Sequence, residues 1–278
     1  MIYDCHLHTE FSGDSDTPVQ AQIKRAAALG MKEIAVTDHH DYDCPFCEDD
    51  FELHLPEYLS ALKSIKKKYE GMLRINIGIE LGLQCHIRDY LEKFYEAYGG
   101  EFDFIIGSSH FIRRQDPYFP DFWEGCGSKK GLEDFFEASL KRVRLLHPFF
   151  DSYGHLDYGA RYAPDGESIY SYENFKEPVD AILQILIQQG KALECNTGGL
   201  RSRLQQTNPA PSILKRYREM GGELITVGSD AHTPEYLGYG FEQARELLKS
   251  CGFRYYTVFH HRKAEMIPLL SLIHISEP

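Results

Sequence analysis

A regular alternation of strand-like and helix-like segments constrains the fold of this 278-residue chain more than any other feature. Seven short apolar runs have the composition of buried parallel strands, and in chain order they read IYDC, IAVT, INIGI, FDFIIG, FFDSYG, ALEC and ELITVG. The segments between them carry apolar residues at spacings of three and four, which is the pattern of amphipathic helices. We therefore predict an α/β fold in which parallel strands close into a TIM-like barrel, formed by a single domain over residues 1–270.

Charge and hydropathy exclude several classes of function. The formal net charge of -12 argues against a nucleic-acid partner, because proteins that bind nucleic acids normally carry a basic face. It is compatible with a small anionic substrate, since a few arginines and metal ions can set the local field. The chain contains no apolar stretch long enough to span a membrane, and it starts with a strand-like segment where a secretory leader would be basic and then apolar. We expect a cytoplasmic protein with no membrane partner.

Side chains that can bind metals follow six of the seven strand-like runs. They are His6 and His8 after the first run, His39 after the second, Glu80 after the third, His110 after the fourth, His155 after the fifth, and Asp230 with His232 after the seventh. Asp14 lies a few residues beyond His8 in the first loop. The carboxyl ends of barrel strands meet at one rim, where the active sites of such folds form, so we expect all nine side chains to share one site.

The spacing and chemistry of these residues favour a metal cluster. Residues two apart in an extended segment point to the same side, so His6 and His8 can reach one ion, as can Asp230 and His232. Imidazole and carboxylate ligands suit zinc, manganese or iron, and nine of them are enough for two or three ions. Two arginines that follow barrel strands, Arg161 and Arg201, are candidates to hold a phosphate group through a bidentate guanidinium.

The polar motifs together resemble the polymerase and histidinol phosphatase (PHP) superfamily. The motifs are HLH (6–8), FSGDS (11–15), TDHH (37–40), GIELG (78–82), GSSHF (107–111), GHLD (154–157) and SDAH (229–232). Within the superfamily, the chain looks most like the histidinol-phosphate phosphatases. That narrower resemblance rests on Asp14, on Arg161 after GHLD, on ECNTGGLR (194–201) and on YYTVFHHRK near the end of the chain.

The resemblance implies a distorted (β/α)7 barrel with a trinuclear metal centre and a specific set of ligands. One ion would take His6, His8, Glu80 and Asp230, a second Glu80, His110 and His155, and a third Asp14, His39 and His232. The implied reaction is the hydrolysis of L-histidinol phosphate, a small phosphorylated amino alcohol, in histidine biosynthesis. Catalytic roles would fall to Glu80, Asp230 and His232, with Arg161 and Arg201 on the substrate phosphate.

Two alternatives to this function stay open from the sequence. A related phosphoesterase that acts on another small phosphomonoester, a nucleotide or a phosphodiester would keep the same metal ligands. The insert RRQDPYFPDFWEGCG after the fourth strand differs from the sequence expected of histidinol-phosphate phosphatases. Because this insert can contribute to the substrate pocket, the exact alcohol of the substrate stays open. A barrel that binds metal only as a scaffold is the second alternative, and the intact ligand set argues against it.

Three smaller expectations concern the surroundings of the site. The insert that continues to Gly131 is long enough to form a lid or rim. Acidic residues at positions 41, 43 and 48–50 would suit the cationic groups of histidinol phosphate, and Asp4 and Asp38 are placed to orient ligand histidines. The final residues SLIHISEP (271–278) break the pattern and resemble a translated cloning adapter, so we exclude them as a non-native tail.

Overall fold

Parallel strands follow one another around a barrel in the computed structural model, which describes residues 3–45 and 51–269. The strands are β1 Tyr3–Asp4, β2 Glu33–Val36, β3 His39–His40, β4 Arg74–Gly82, β5 Phe104–Ser108, β6 Ser152–Tyr153, β7 Ala192–Asn196 and β8 Ile225–Gly228. Strands β2 and β3 both pair with β4 and so occupy one position of the sheet. Between β1 and β8, the amide of Cys5 donates to the carbonyl of Val227 at 3.0 Å. The predicted α/β barrel is confirmed.

Helices connect the strands largely where the apolar periodicity predicts them. They are α1 Val19–Ala28, α2 Leu55–Lys68, α3 Arg88–Tyr98, α4 Gly127–Leu146, α5 Gly166–Ile169, α6 Lys176–Gln188, α7 Pro211–Glu219 and α8 Phe241–Ser250. Helix α8 shows the principle, because Phe241, Ala244 and Leu248 are buried at spacings of three and four. Burying one large apolar side chain stabilises the fold by about 1.5–3 kcal/mol. The four-residue helix α5 was not predicted, since one turn is too short to show a period.

An antiparallel hairpin covers the amino-terminal end of the barrel. It consists of β9 Tyr255–His260 and β10 Lys263–Pro268, which follow the seven predicted strand-like runs. The amide of Ile225 at the start of β8 donates to Thr257 Oγ1 at 3.1 Å. The ring of Phe259 stacks on that of Phe104, at the start of β5, with the centroids 5.2 Å apart. The opposite, carboxyl-terminal end is therefore the one at which a ligand site can open.

Gly228 permits a close approach between β8 and β1, and we expect its replacement to be destabilising. A Cβ at this position would lie 2.3 Å from the Cβ of His6 and 2.7 Å from Oε1 of Glu194. We expect Gly228→Ala to lower the free energy of unfolding by about 1–3 kcal/mol, because the strands must move apart. Urea denaturation measures the effect, with Gly100→Ala as the control, since a Cβ there would have no neighbour within 4 Å. Equal stability of the two variants would contradict the prediction.

Two other expectations from the sequence concern a membrane span and the residues at the end of the chain and in the acidic loop. Among the described residues, no helix combines the length and the apolar character that a membrane span requires. The predicted non-native tail, 271–278, lies outside the described residues, as do positions 48–50 of the acidic loop.

Candidate active site

All nine predicted metal ligands lie together at the carboxyl-terminal end of the barrel. His39 and Glu80 belong to β3 and β4, and the other seven lie in the loops that follow β1, β5, β6 and β8. A cleft of about 580 Å³ opens above them. Its lining residues are Asp14, His39, Asp41, Phe51, His110, Phe111, Asp116, Tyr118, Phe119, His155, Tyr158, Arg161, Tyr162, Asp230 and His232. The parallel arrangement of the strands is what brings residues so distant in sequence to one rim.

Glu80 occupies the centre of the cluster and is completely buried. Its Oε2 lies 3.2 Å from Nε2 of His6 and 3.1 Å from Nδ1 of His39. Its Oε1 lies 2.9 Å from Nε2 of His155 and 3.3 Å from Nε2 of His110. Burial alone would raise the pKa of Glu80, but the surrounding histidines, His6 foremost, hold this pKa well below its usual range. With Nε2 of His8 at 3.5 Å from Oε2, one carboxylate thus faces five imidazoles, which is the position that a ligand shared between ions requires.

A second group of ligand atoms forms where the first loop returns to the rim. Asp14 Oδ2 lies 3.0 Å from Nε2 of His232 and 3.6 Å from Nε2 of His39. His8 completes this group, and burial together with the neighbouring His232 lowers the pKa of its imidazole to about 3. A neutral imidazole is the form that binds a metal ion.

The cluster contains three further groups, and within each group the ligand atoms lie within 4.8 Å of one another. The groups are His6, His8 and Asp230; His6, Glu80 and His155; and His39, Asp41 and His110. These groups differ from the ligand sets implied by the resemblance in two ways. His8 lies with Asp14, His39 and His232 as well as with His6 and Asp230, and His110 lies with His39 and Asp41. The described residues therefore offer several adjoining places for divalent ions.

Asp41 belongs to this cluster, although the sequence pattern placed it in an acidic loop. Its Oδ1 lies 2.8 Å from Nδ1 of His110, and its Oδ2 lies 3.4 Å from Nδ1 of His39. Burial would raise the pKa of Asp41, but His110 outweighs this effect and lowers it to about 2. In turn, burial would lower the pKa of His110, while Asp41 and Glu80 raise it to about 10. The signal that could have revealed Asp41 is its position two residues after His39, on the same side of an extended segment.

Glu194 orients two of the ligand histidines, a role that the sequence pattern did not reveal. Its Oε1 lies 2.6 Å from Nδ1 of His6, and its Oε2 accepts a hydrogen bond of 2.8 Å from the amide of His155. A carboxylate on the second ring nitrogen sets the tautomer of a ligand histidine and leaves Nε2 free for a metal. Glu194 begins the ECNTGGLR segment, which carried the resemblance without suggesting this contact.

Asp4 and Asp38 do not orient imidazoles in the way the sequence suggested. Asp4 accepts hydrogen bonds from the amides of Ser229 and Gly238, at 2.9 and 3.0 Å. Asp38 accepts from the hydroxyl of Ser12 at 2.8 Å, and that oxygen lies 3.0 Å from Nδ1 of His8. Among the described residues, both carboxylates therefore support loops, and Asp38 acts on His8 only through Ser12.

The cluster has the donor set and the unsatisfied atoms of a site for divalent metals. Among the described residues, His155 Nδ1 is buried without a hydrogen-bond partner, and His39 Nδ1 and Asp41 Oδ2 lie 3.4 Å apart without the geometry of a hydrogen bond. An unsatisfied buried polar atom costs about 1–3 kcal/mol, and coordination of a cation removes this cost. Nitrogen and carboxylate ligands without thiolates are typical of zinc, manganese and iron sites. The residues present thus fit divalent metal ions.

The two candidate arginines lie on either side of Asp230 and differ in their exposure to the cleft. Arg161 lines the cleft, and its terminal nitrogens lie 3.4 Å from Oδ2 of Asp230 and 3.0 Å from Oδ1 of Asn196. Its Nε donates to Asn208. Arg201 lies outside the residues that line the cleft and donates to the carbonyl oxygen of Asp230 at 3.1 Å. Arg161 therefore lines the cleft in which a ligand would lie, and Arg201 does not.

Comparison with known proteins agrees with this arrangement. The PHP domain family matches residues 4–198 of the chain, which is more than half of its length. The chain belongs to the PHP domain family. A histidinol-phosphatase from Lactococcus lactis is 30% identical over 94% of this chain and 96% of its own length. A probable histidinol-phosphatase from Clostridium acetobutylicum is 30% identical over 91% of this chain and 95% of its own length. The predicted superfamily is confirmed.

A solved structure is similar to this PHP chain over almost its entire length. It is the histidinol phosphate phosphatase of Lactococcus lactis, crystallised with zinc, L-histidinol and phosphate. The two structures superpose with a TM-score of 0.87 at 29% sequence identity, and the match covers 95% of this chain and 98% of the other.

Proposed function

We propose that this PHP chain hydrolyses L-histidinol phosphate to L-histidinol and phosphate with the help of two or three divalent metal ions. The observation that carries the proposal is the cluster of ten histidine and carboxylate side chains, with Glu80 at its centre, at the floor of a cleft that Arg161 also lines. The similarity to a phosphatase that was crystallised with zinc, L-histidinol and phosphate supports the choice of substrate.

Manganese, zinc or iron would be held by His6, His8, Asp14, His39, Glu80, His110, His155, Asp230 and His232. Bound in such a cluster, divalent ions lower the pKa of water toward neutrality and offset the charge of the phosphate oxygens. Glu80 would be the shared ligand, because its two oxygens face different histidines. Asp230 and His232 come from the loop after β8 and complete the cluster from the side that faces Arg161.

Arg161 binds the substrate phosphate in this proposal. Three of its five N–H groups are used by Asp230, Asn196 and Asn208. These contacts hold the guanidinium in place and leave one N–H on each terminal nitrogen for an oxyanion. Burial would lower the pKa of Arg161, but the Asp230 carboxylate raises it, so the group stays cationic. Arg201 positions the Asp230 backbone, and its direct contact with phosphate stays a prediction.

Phosphate release by the metal-loaded protein tests this function. We expect the manganese-loaded chain to hydrolyse L-histidinol phosphate with a kcat/KM at least about 100-fold above that of nucleotides and other small phosphomonoesters. Removal of the ions with a chelator should abolish turnover, and added manganese should restore it. Better turnover of another ester would keep the metal chemistry and overturn the substrate. Metal binding without hydrolysis of any ester would favour a scaffold role.

Location and partners complete the proposal. We infer that the reaction takes place in the cytoplasm, with the phosphorylated amino alcohol as the partner and without nucleic acid. The net charge of -12 supports the exclusion of nucleic acid.

A further inference from the structure

The guanidinium of Arg161 is held by the side-chain oxygens of two asparagines. Oδ1 of Asn196 accepts a hydrogen bond of 3.0 Å from Nη2, and Oδ1 of Asn208 accepts one from Nε. An asparagine amide ends in an oxygen and an NH2 group of nearly the same shape, whereas an arginine can only donate. Both amides must therefore turn their oxygens toward the guanidinium, because an amide turned the other way would place one donor against another.

Carboxylates behind the two amides fix this orientation. Nδ2 of Asn196 lies 3.2 Å from Oε2 of Glu194 and 3.2 Å from Oδ2 of Asp230. Nδ2 of Asn208 donates to Oδ1 of Asp157. An ionised carboxylate only accepts hydrogen bonds, so it selects the orientation in which the NH2 group faces it. The oxygen of each amide is then left for the guanidinium.

Asp157 is a completely buried carboxylate whose hydrogen bonds hold it in one position. Its Oδ2 accepts from the amide of Ala210 at 2.8 Å and from the hydroxyl of Tyr170, while its Oδ1 accepts from Asn208. Two of these three partners are N–H groups, which can only donate. Glu194 and Asp230 also contact ligand histidines, whereas Asp157 lies outside the groups of possible metal ligands among the described residues.

The backbone brings Asp157 and Asn208 to Arg161 from two different loops. Asp157 precedes the short 3₁₀ helix Tyr158–Arg161, and its carbonyl oxygen accepts from the amide of Ala160 at 2.8 Å. Asn208 pairs with Asn196 at the end of β7 through two backbone hydrogen bonds of 2.8 and 2.9 Å. Asp157 thus acts on the neighbouring arginine through an amide that lies 51 residues further along the chain.

We propose that Asp157 is a positioning residue for the reaction, because it fixes the amide of Asn208 so that Arg161 presents its remaining N–H groups to the phosphate. Among the described residues that line the cleft, Arg161 is present and Asp157 and Asn208 are not. Asp157 therefore acts on the reaction only through Arg161. This inference rests on the proposed function, in which Arg161 binds the substrate phosphate.

The Asp157→Asn variant tests the proposal, because it keeps the size and shape of the side chain. The new NH2 group must face either Asn208 or the two donors Ala210 and Tyr170, so the matched donors and acceptors are lost. We expect kcat/KM for L-histidinol phosphate and for p-nitrophenyl phosphate to fall by the same factor, about 10- to 100-fold, since the phosphate is common to both. The inhibition constant of inorganic phosphate should rise, and the metal content should not change.

An exchange of the two side chains should restore most of this activity. In the double variant Asp157→Asn/Asn208→Asp, the NH2 group at position 157 donates to one carboxylate oxygen at position 208, and the other oxygen there accepts from Arg161. The oxygen at position 157 stays available to Ala210 and Tyr170. Every donor again faces an acceptor, so recovery measures the orientation of the amide rather than the identity of either residue.

The effect of Asp157 should also vanish when Arg161 is removed. In an Arg161→Ala background, Asp157→Asn should change kcat/KM by less than about twofold, because no guanidinium is left to position. Tyr170→Phe is the matched control, since it removes the other side-chain hydrogen bond of Asp157 and leaves the one to Asn208. We expect this control to lower the midpoint of thermal denaturation and to keep the kcat/KM of the wild type.

The outcomes separate this inference from the proposed function. Wild-type activity of Asp157→Asn, or an undiminished loss in the Arg161→Ala background, would overturn the inference alone. If Asp157→Asn does not fold, Asn208→Ala takes its place in the cycle, and a loss that adds to that of Arg161→Ala would overturn the inference. Wild-type activity of Arg161→Ala, or no hydrolysis of any ester, would overturn the phosphate contact and this inference with it. Preference for another ester would overturn only the substrate, because the cycle gives the same result with any phosphate ester.

Discussion

The Glu80→Gln variant should lose phosphatase activity by at least about 1,000-fold while it keeps the fold. Each oxygen of Glu80 faces two imidazole nitrogens at 2.9–3.3 Å. A glutamine replaces one of these oxygens with an NH2 group that cannot ligate a metal, and it removes the negative charge that the ions require. Initial rates with L-histidinol phosphate measure the loss, and elemental analysis of the purified variant measures the metal content.

A matched control separates the loss of metal from general damage. Glu10 lies in the first loop near the site, and it is exposed. We expect Glu10→Gln to keep its activity and its metal content, and both variants to show the circular dichroism of the wild type. If Glu80→Gln retained near-normal turnover and metal, Glu80 would be a structural residue and the proposed centre would be wrong.

Loss of Arg161 should produce the second large effect. We expect Arg161→Ala to reduce kcat/KM about 100- to 1,000-fold, since it removes a preorganised cation from the transferred phosphate. Arg161→Lys should recover little of this activity, because one ammonium cannot contact Asn196, Asn208 and Asp230 and also grip two phosphate oxygens. Steady-state kinetics and inhibition by inorganic phosphate check both variants.

Two other arginines serve as comparisons for Arg161. Arg201→Ala should have a smaller effect, because this side chain donates to the backbone carbonyl of Asp230 and stacks on Tyr236, with 4.2 Å between the guanidinium carbon and the ring centroid. Arg203→Ala should have none, as Arg203 donates to the carbonyls of Ala163 and Pro164. A larger loss for Arg201→Ala than for Arg161→Ala would assign the phosphate contact to Arg201.

The placement of the nine candidate ligands at one rim could be predicted from the sequence because it depends on local rules. A parallel barrel puts the carboxyl end of every strand at one rim, so a histidine or carboxylate just after a strand must lie there. Alternation along an extended segment then decides which of two neighbours points inward. The ring of His39 reaches the cluster, whereas that of His40 faces away, with its Nε2 2.7 Å from the hydroxyl of Tyr90. The helix periodicity located the longer helices for the same reason, since each is set by contacts within a few residues.

The partners of these residues were decided only by the tertiary structure. Glu194 reaches His6 across 188 residues of sequence, and Asp41 reaches His110 across 69. Such pairs depend on the stagger and tilt of the strands around the barrel, which no local pattern specifies. The sequence by itself therefore determined which side chains reach the rim, and the packing of the barrel and its loops decided which of them meet.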